Sequence, residues 1–231
     1  MKIGIDVINK DELENYVQNI DKTKNIQIIQ IHKMDRGSLI VYVVIAFVIL
    51  ICIHMYYNSD WIQLKCIVST VDGNKYCVRD RSKLKESADL LANTTAKCKQ
   101  LVDYLKNKYP NNDVVKRLVA GYNPQKIMET LPNSEHTAYS ENKGEKIAFC
   151  LNPTKEEQDN LIDDHTLMFV AIHELSHVGT KSVGHKEEFW QNFKFLLENA
   201  KEAGIHFPKD YKKKPTKYCG MTIHDNPYFD M

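Results

Sequence analysis

The chain has almost no excess charge: 31 Lys and Arg stand against 30 Asp and Glu in 231 residues, a net of +1 at neutral pH. A nucleic-acid binder needs a positive face for the phosphate backbone, and a nearly neutral field gives no electrostatic case for one. No nucleic-acid partner is therefore expected. The sharpest basic cluster, Lys212-Lys213-Lys214, reads as a solvated segment. Also missing are a glycine-rich phosphate loop, a serine-centred nucleophile elbow, an internal repeat, a low-complexity stretch and any CxxC pair. The absence of CxxC removes the zinc-ribbon and dithiol-redox readings.

Charge is absent altogether from Leu39 to Tyr57, "LIVYVVIAFVILICIHMYY". Nineteen residues at 1.5 Å each span roughly 29 Å, the thickness of a bilayer's hydrocarbon core. Tyr56, Tyr57 and Trp61 sit where an interfacial aromatic belt would lie. A signal peptide would begin nearer the start and end in a small-residue cleavage site. A core helix would rarely be apolar all round for five turns. The segment is expected to be a single membrane span, residues 37–57. Lys24, Lys33 and Arg36 precede it and only Lys65 follows closely. The positive-inside rule then puts the N-terminus in the cytosol and residues 58–231 on the luminal or external side. Cys66, Cys77, Cys98, Cys150 and Cys219 lie beyond the span. Two disulfides and one free thiol would suit a luminal domain and five reduced thiols a cytosolic one; the count does not choose.

Residues 1–36 lack sustained periodicity and read as an N-terminal tail. Alternation around Asp72-Gly73 predicts a hairpin. From about 81 to 109, Leu84, Ala88, Leu91, Thr95, Cys98, Val102, Leu105 and Tyr109 form one helical stripe, which predicts a helix packed on the core. A second helix near Asp113–Ala120 is expected to close on Gly121, and Asn123-Pro124 to open a short third one reaching Thr130. Residues 136–151 read as a hairpin turning at "ENKG". Thr154 and Glu157 have capping-box spacing, and Asp163 or Asp164 can cap the helix that follows.

That helix carries "HELSHVGTKSVGH", residues 173–185. His173 and His177, four apart, share a helix face and can offer two imidazole nitrogens to one ion. Glu174 lies about 100° round the helix, where its carboxylate can reach a metal-bound water rather than the metal. Zinc with three protein ligands keeps a fourth position for water and lowers its pKa toward about 7. The flanking "LMFVAIHELSHVG" is otherwise uncharged, so a buried Glu174 would be costly without a partner, and a metal supplies one. The two glycines of "VGTKSVG" let the chain turn back, which makes His185 the expected third ligand, with Glu187, Glu188 and Glu198 as rivals. "KEEFWQNFKFLLENA" then forms an amphipathic helix. An oxyanion donor should accompany the metal, and Tyr122, Tyr139, His136 and His165 are candidates. The tail "KYCGMTIHDNPYF" is expected to pack back on the domain, and could cover the cleft.

His173, Glu174, His177, His185, Glu188 and Phe189 together resemble the WLM and SprT-like group of zinc metallopeptidases, whose pattern is H-E-x-x-H, a short loop, then a third histidine followed by an acidic residue and a phenylalanine. The resemblance covers roughly residues 136–203. It implies a small zincin fold and metal-dependent endopeptidase activity. The seven-residue gap before His185 departs from the usual spacing of both groups and from the metzincin pattern. A membrane span and no basic face depart from the soluble relatives that process proteins crosslinked to DNA. The Lys-, Asn- and Ile-rich composition is similar to that of uncharacterized peptidases of large DNA viruses.

The expected fold is thus α+β: a mainly helical zincin-like metallopeptidase domain over 58–231 with a small β-hairpin or sheet, preceded by one transmembrane helix. The expected function is peptide-bond hydrolysis by a zinc-activated water, with His173, His177 and His185 as Zn2+ ligands and Glu174 as general base. The alternative is a catalytically idle, zinc-stabilised, membrane-anchored binding or scaffold protein. A protein or peptide substrate and the membrane are the expected partners; oligomeric state is not legible.

Overall fold

The computed structural model describes residues 14–15, 17–20, 22, 36–57, 64–155 and 160–230. The chain divides into two units between Tyr57 and Asn58. In the first, helix α1 runs Arg36–Tyr57, and its apolar side chains from Leu39 to Tyr57 stand exposed around the whole circumference. Over Gly37–Tyr57 it is long and apolar enough to cross a membrane. The reading of 1–36 as a tail falls mostly outside the described residues, as does Glu157 of the capping box.

The second unit is mixed α+β. Strands β1 (Leu64–Val68) and β2 (Lys75–Arg79) form the expected antiparallel hairpin, with Cys66 opposite Cys77 and disulfide-bonded to it. The Asp72 carboxylate shapes its turn by accepting from the Asn74 N–H at 3.0 Å and the Tyr76 hydroxyl at 2.8 Å. Helix α2 (Leu84–Lys108) buries the predicted stripe, Ala88, Leu91, Thr95, Cys98, Val102 and Leu105, against the core. Helix α3 (Asp113–Gly121) is capped by Asn112, whose side-chain oxygen accepts from the Val114 N–H at 2.8 Å.

The helix expected after Asn123-Pro124 does not form. Asn123 closes an Asx turn on the Gln125 N–H at 3.0 Å, and Ile127–Glu129 becomes strand β3. Its alternation buries Ile127 and Glu129. Glu129 tolerates that burial because Arg79 and Arg81 meet it there as ion-pair partners. Strands β4 (Ala138–Glu141) and β5 (Lys146–Phe149) form the second predicted hairpin. Strand β5 is central in the order β3-β5-β4, parallel to β3, which leaves β4 as an edge.

The β4–β5 turn holds Asn142, Lys143 and Gly144 in the left-handed region, at φ 46°, 57° and 103°. It lies so close to α3 that a Cβ on Gly121 would collide with the Lys143 carbonyl oxygen and the Val178 side chain. Gly121 is therefore a close-approach residue inside α3 and not a left-handed cap; the helix ends on Tyr122 at φ −68°.

Helix α4 (Asp164–Gly179) carries the histidine motif. Asp163 caps it, accepting from the Thr166 N–H at 2.9 Å. Twelve of its sixteen residues are buried, because α2, α3, α5 (Glu187–Glu202) and β4 all pack on it. The C-terminal segment folds back as strands β6 (Thr216–Tyr218) and β7 (Met221–Ile223) and a 3-10 turn, Pro227–Phe229. A disulfide joins Cys219 to Cys150. The cysteines beyond the span thus resolve into two disulfides and one buried thiol, Cys98.

Replacing Gly121 by Ala should lower unfolding free energy by about 2 kcal/mol, an overpacking cost against backbone that cannot rotate away. Urea unfolding of the full chain in detergent checks this, with a lowered midpoint at unchanged slope expected.

Candidate metal centre

Helical spacing places His173 and His177 one turn apart on α4, and the loop 180–186 returns the chain so that His185 meets them. The three Nε2 atoms form a nearly equilateral triangle: 3.2 Å from His173 to His177, 3.1 Å from His177 to His185, and 3.0 Å from His185 to His173. Two nitrogens on one tetrahedral zinc stand about 3.3 Å apart, from Zn–N bonds of about 2.0–2.1 Å. Neutral imidazoles converging in this way face one another with lone pairs, an arrangement that a shared cation relieves. Among the described residues these three form the group that could hold a metal ion.

The environment keeps the imidazoles unprotonated. Burial, then the facing His177 and His185, pushes His173 down to about 3. Burial, then His185 and Lys143, pushes His177 down to about 4, and burial lowers His185. The fully buried Phe189 ring supports all three, with centroids 4.8 Å from His173, 4.3 Å from His177 and 4.7 Å from His185. Glu174 is 4% exposed, and no described residue bonds or pairs with its carboxylate. Burial alone pushes its carboxyl up to about 8. A cation held beside it would favour the ionised form.

The loop is braced from several directions. The Lys143 ammonium donates to the carbonyls of His177 at 3.2 Å, Thr180 at 2.7 Å and Ser182 at 3.2 Å. Arg117 Nε donates to the Gly179 carbonyl at 2.7 Å. The Glu188 carboxylate accepts from the Lys181 and Ser182 N–H groups, each at 3.1 Å, and Asn192 donates to the Thr180 hydroxyl at 2.9 Å. Of the rival ligands, Glu188 is thus a loop brace, Glu187 accepts from Gln191 at 3.0 Å, and Glu198 is exposed; none of them joins the imidazole group.

The group opens into a cleft of about 720 Å³. Thr137 and, from strand β4, Ala138, Tyr139 and Ser140 line it, as do Tyr218 and Met221–Asp225 of the C-terminal segment, where Tyr218 and Met221 touch Thr137. Of the four suggested oxyanion donors only Tyr139 lines it. Tyr122 reaches the Thr95 carbonyl at 3.3 Å, His165 binds the Phe207 carbonyl at 2.6 Å, and His136 lies against Tyr139. Sequence reasoning missed Lys143 and Tyr218. The "ENKG" turn contained Lys143, but only the fold aims it at α4; Tyr218, 81 residues from Thr137, donates to that carbonyl at 3.1 Å with no local signal. The tail was expected to pack back, and it walls the cleft. The lysine run is solvated and paired, Lys212 with Asp225 at 3.2 Å and Lys213 with Asp210 at 3.2 Å.

No protein-family model matches the chain, and no solved structure matches it. It is similar to an uncharacterized protein of Acanthamoeba polyphaga mimivirus, 27% identical over 164 residues that cover 69% of this chain and 82% of that one. An uncharacterized protein of Invertebrate iridescent virus 6 is 34% identical over 71 residues, 29% of this chain and 40% of its own length. One from Invertebrate iridescent virus 3 is 31% identical over 100 residues, 43% and 57% of the two chains.

Two outcomes are expected. Lys143→Ala should weaken metal binding roughly 10- to 100-fold, the usual effect of removing support behind a ligand set, read by chelator competition on the full chain. In the metal-free protein, unfolded histidines take up protons below about 6.5 while the folded His173 and His177 refuse them down to about 3 and 4. Their contribution to stability is present above 6.5 and lost as pH falls through that window. Thermal melts in chelator between pH 7 and 4 should show this decline.

Proposed function

We propose that the chain is a membrane-anchored zinc metallopeptidase of zincin type, related to the WLM and SprT-like group. The observation that carries this reading is the Nε2 triangle of His173, His177 and His185 beside a buried Glu174, in a cleft lined by the edge strand β4. The donor set of three neutral imidazoles suits zinc, which would supply Lewis acidity and lower the pKa of water in its open position. Glu174 takes the proton from the attacking water and returns it to the leaving amine. The β4 edge binds an extended peptide by main-chain hydrogen bonds, which brings a scissile carbonyl along the cleft. A site kept only for structure needs no carboxylate buried without a partner.

Helix α1 anchors the protein in a membrane. Two disulfides in residues 58–231 suit an oxidising compartment. With the lysine and arginine bias before the span, they support a cytosolic N-terminus and a luminal or external peptidase domain.

The test uses the purified full chain and a denatured protein as substrate. One zinc per chain is expected, with cleavage that falls roughly 10²- to 10⁴-fold in Glu174→Gln while zinc content stays unchanged. Zinc without cleavage of any protein would instead indicate the idle, zinc-stabilised scaffold.

A further inference from the structure

Beside the imidazoles, the cleft changes character. Phe169, Val170 and Phe193 line it from α4 and α5, and Met221, Ile223 and Pro227 line it from the C-terminal segment. This chamber begins at the first donor: the Phe193 ring centroid is 5.2 Å from both His173 and Phe169. Trp190 and Met221, 41% and 48% exposed, stand at its mouth. Apolar surface open to water next to a polar donor group is the kind of patch that marks a binding site.

We propose that Tyr218–Pro227 is the specificity wall of this cleft, and that it selects an extended peptide segment through one bulky apolar side chain seated between the wall and α4–α5. The proposal rests on the peptidase reading for the identity of its ligand. Four observations support it.

The wall is preformed. The Cys219 and Gly220 N–H groups donate to the Asn152 and Pro153 carbonyls at 2.9 and 2.8 Å, and Cys219 is disulfide-bonded to Cys150. Tyr218 reaches Thr137, and Asn226 donates to the Lys209 carbonyl at 2.9 Å and accepts from the Tyr228 N–H at 3.0 Å. Little ordering entropy is then charged to the ligand.

The chamber offers nothing to a charged side chain. Of the charged residues on the cleft, Lys143 is spent on three carbonyls, Asp225 is paired with Lys212 at the rim, and Glu174 belongs to the donor site. A charge entering it would be desolvated without a partner.

The cleft is also lined by β4, the edge strand of its sheet, whose main-chain groups suit a peptide and are of no use to an acyl chain. The cleft volume, about 720 Å³, also falls within the range of sites that enclose a ligand of several residues' bulk.

The experiment uses full-length, zinc-loaded Glu174→Gln in lipid nanodiscs, so that binding is read without turnover. Eight-residue peptides identical except at one position, with Leu, Phe, Gly or Asp walked through every site, are titrated by fluorescence anisotropy. Leu and Phe are expected to bind at least about tenfold tighter than Gly and Asp at one position and not at the others. Adding Ile223→Trp, which fills the chamber, should cut that preference below about threefold; Met221→Asp, a substitution at an exposed site, should weaken the Leu and Phe peptides without changing zinc content. Equal affinity across the series, no binding of any peptide, or a preference untouched by both substitutions overturns the proposal. A dodecyl-chain probe that displaces the Leu peptide without needing a peptide backbone overturns it as well. Wild-type cleavage without a side-chain preference would sink this inference and leave the peptidase reading standing. A preference in binding with no wild-type cleavage would do the reverse.

Discussion

The structure turns on one constraint: α4 must be buried on nearly every side and still present three polar side chains to a single point. Burial comes from α2, α3, α5 and β4. The polar face survives because the cleft opens along only one strip of the helix, where His173, Glu174 and His177 lie. In that strip the low dielectric strips protons from the imidazoles and holds one on the carboxyl. A solvated carboxyl would be ionised at neutral pH, so the packing of the helix sets the protonation of Glu174, and for the imidazoles it extends the neutral form to lower pH.

The third donor depends on a different kind of contact. His185 is exposed and belongs to a loop, yet its position is over-determined by braces from three separate elements. Lys143 comes from the β4–β5 turn, Arg117 from α3 and Glu188 from α5. Gly121 makes the first of these possible by letting the turn approach α3 to a distance that no Cβ permits. A glycine about fifty residues from the motif thus helps to aim one of its histidines.

How much of this was legible depended on whether the signal was local. The α2 stripe, both hairpins, the Asp163 cap and the histidine spacing are short-range patterns, and all can be read from neighbouring residues. The segment after Asn123 misled because Asn-Pro serves an Asx turn as readily as a helix start. What decided for a strand was the pairing with β5 and the burial of Glu129 against Arg79 and Arg81, residues some fifty positions away. Gly121 looked like a cap because glycine near a helix end usually is one; the close approach that explains it involves Lys143 and Val178. Tyr218 and the cleft wall were out of reach for the same reason. The cysteine count allowed two arrangements, and only three-dimensional proximity pairs Cys66 with Cys77 and Cys150 with Cys219.

The Cys150–Cys219 bond has a topological consequence. Its two ends lie 69 positions apart, and everything between them, including α4, the loop and α5, is one covalent ring that contains all three imidazole donors. Closing a ring of that size removes conformational freedom from the unfolded chain worth about 4 kcal/mol in the chain-entropy account. A single backbone nick at the exposed loop tip near Val183, 81% exposed, would open the ring without releasing either half. His173 and His177 would remain tethered to His185 through sulfur. Such a ring preserves the three imidazoles as one molecule after the chain itself has been cut.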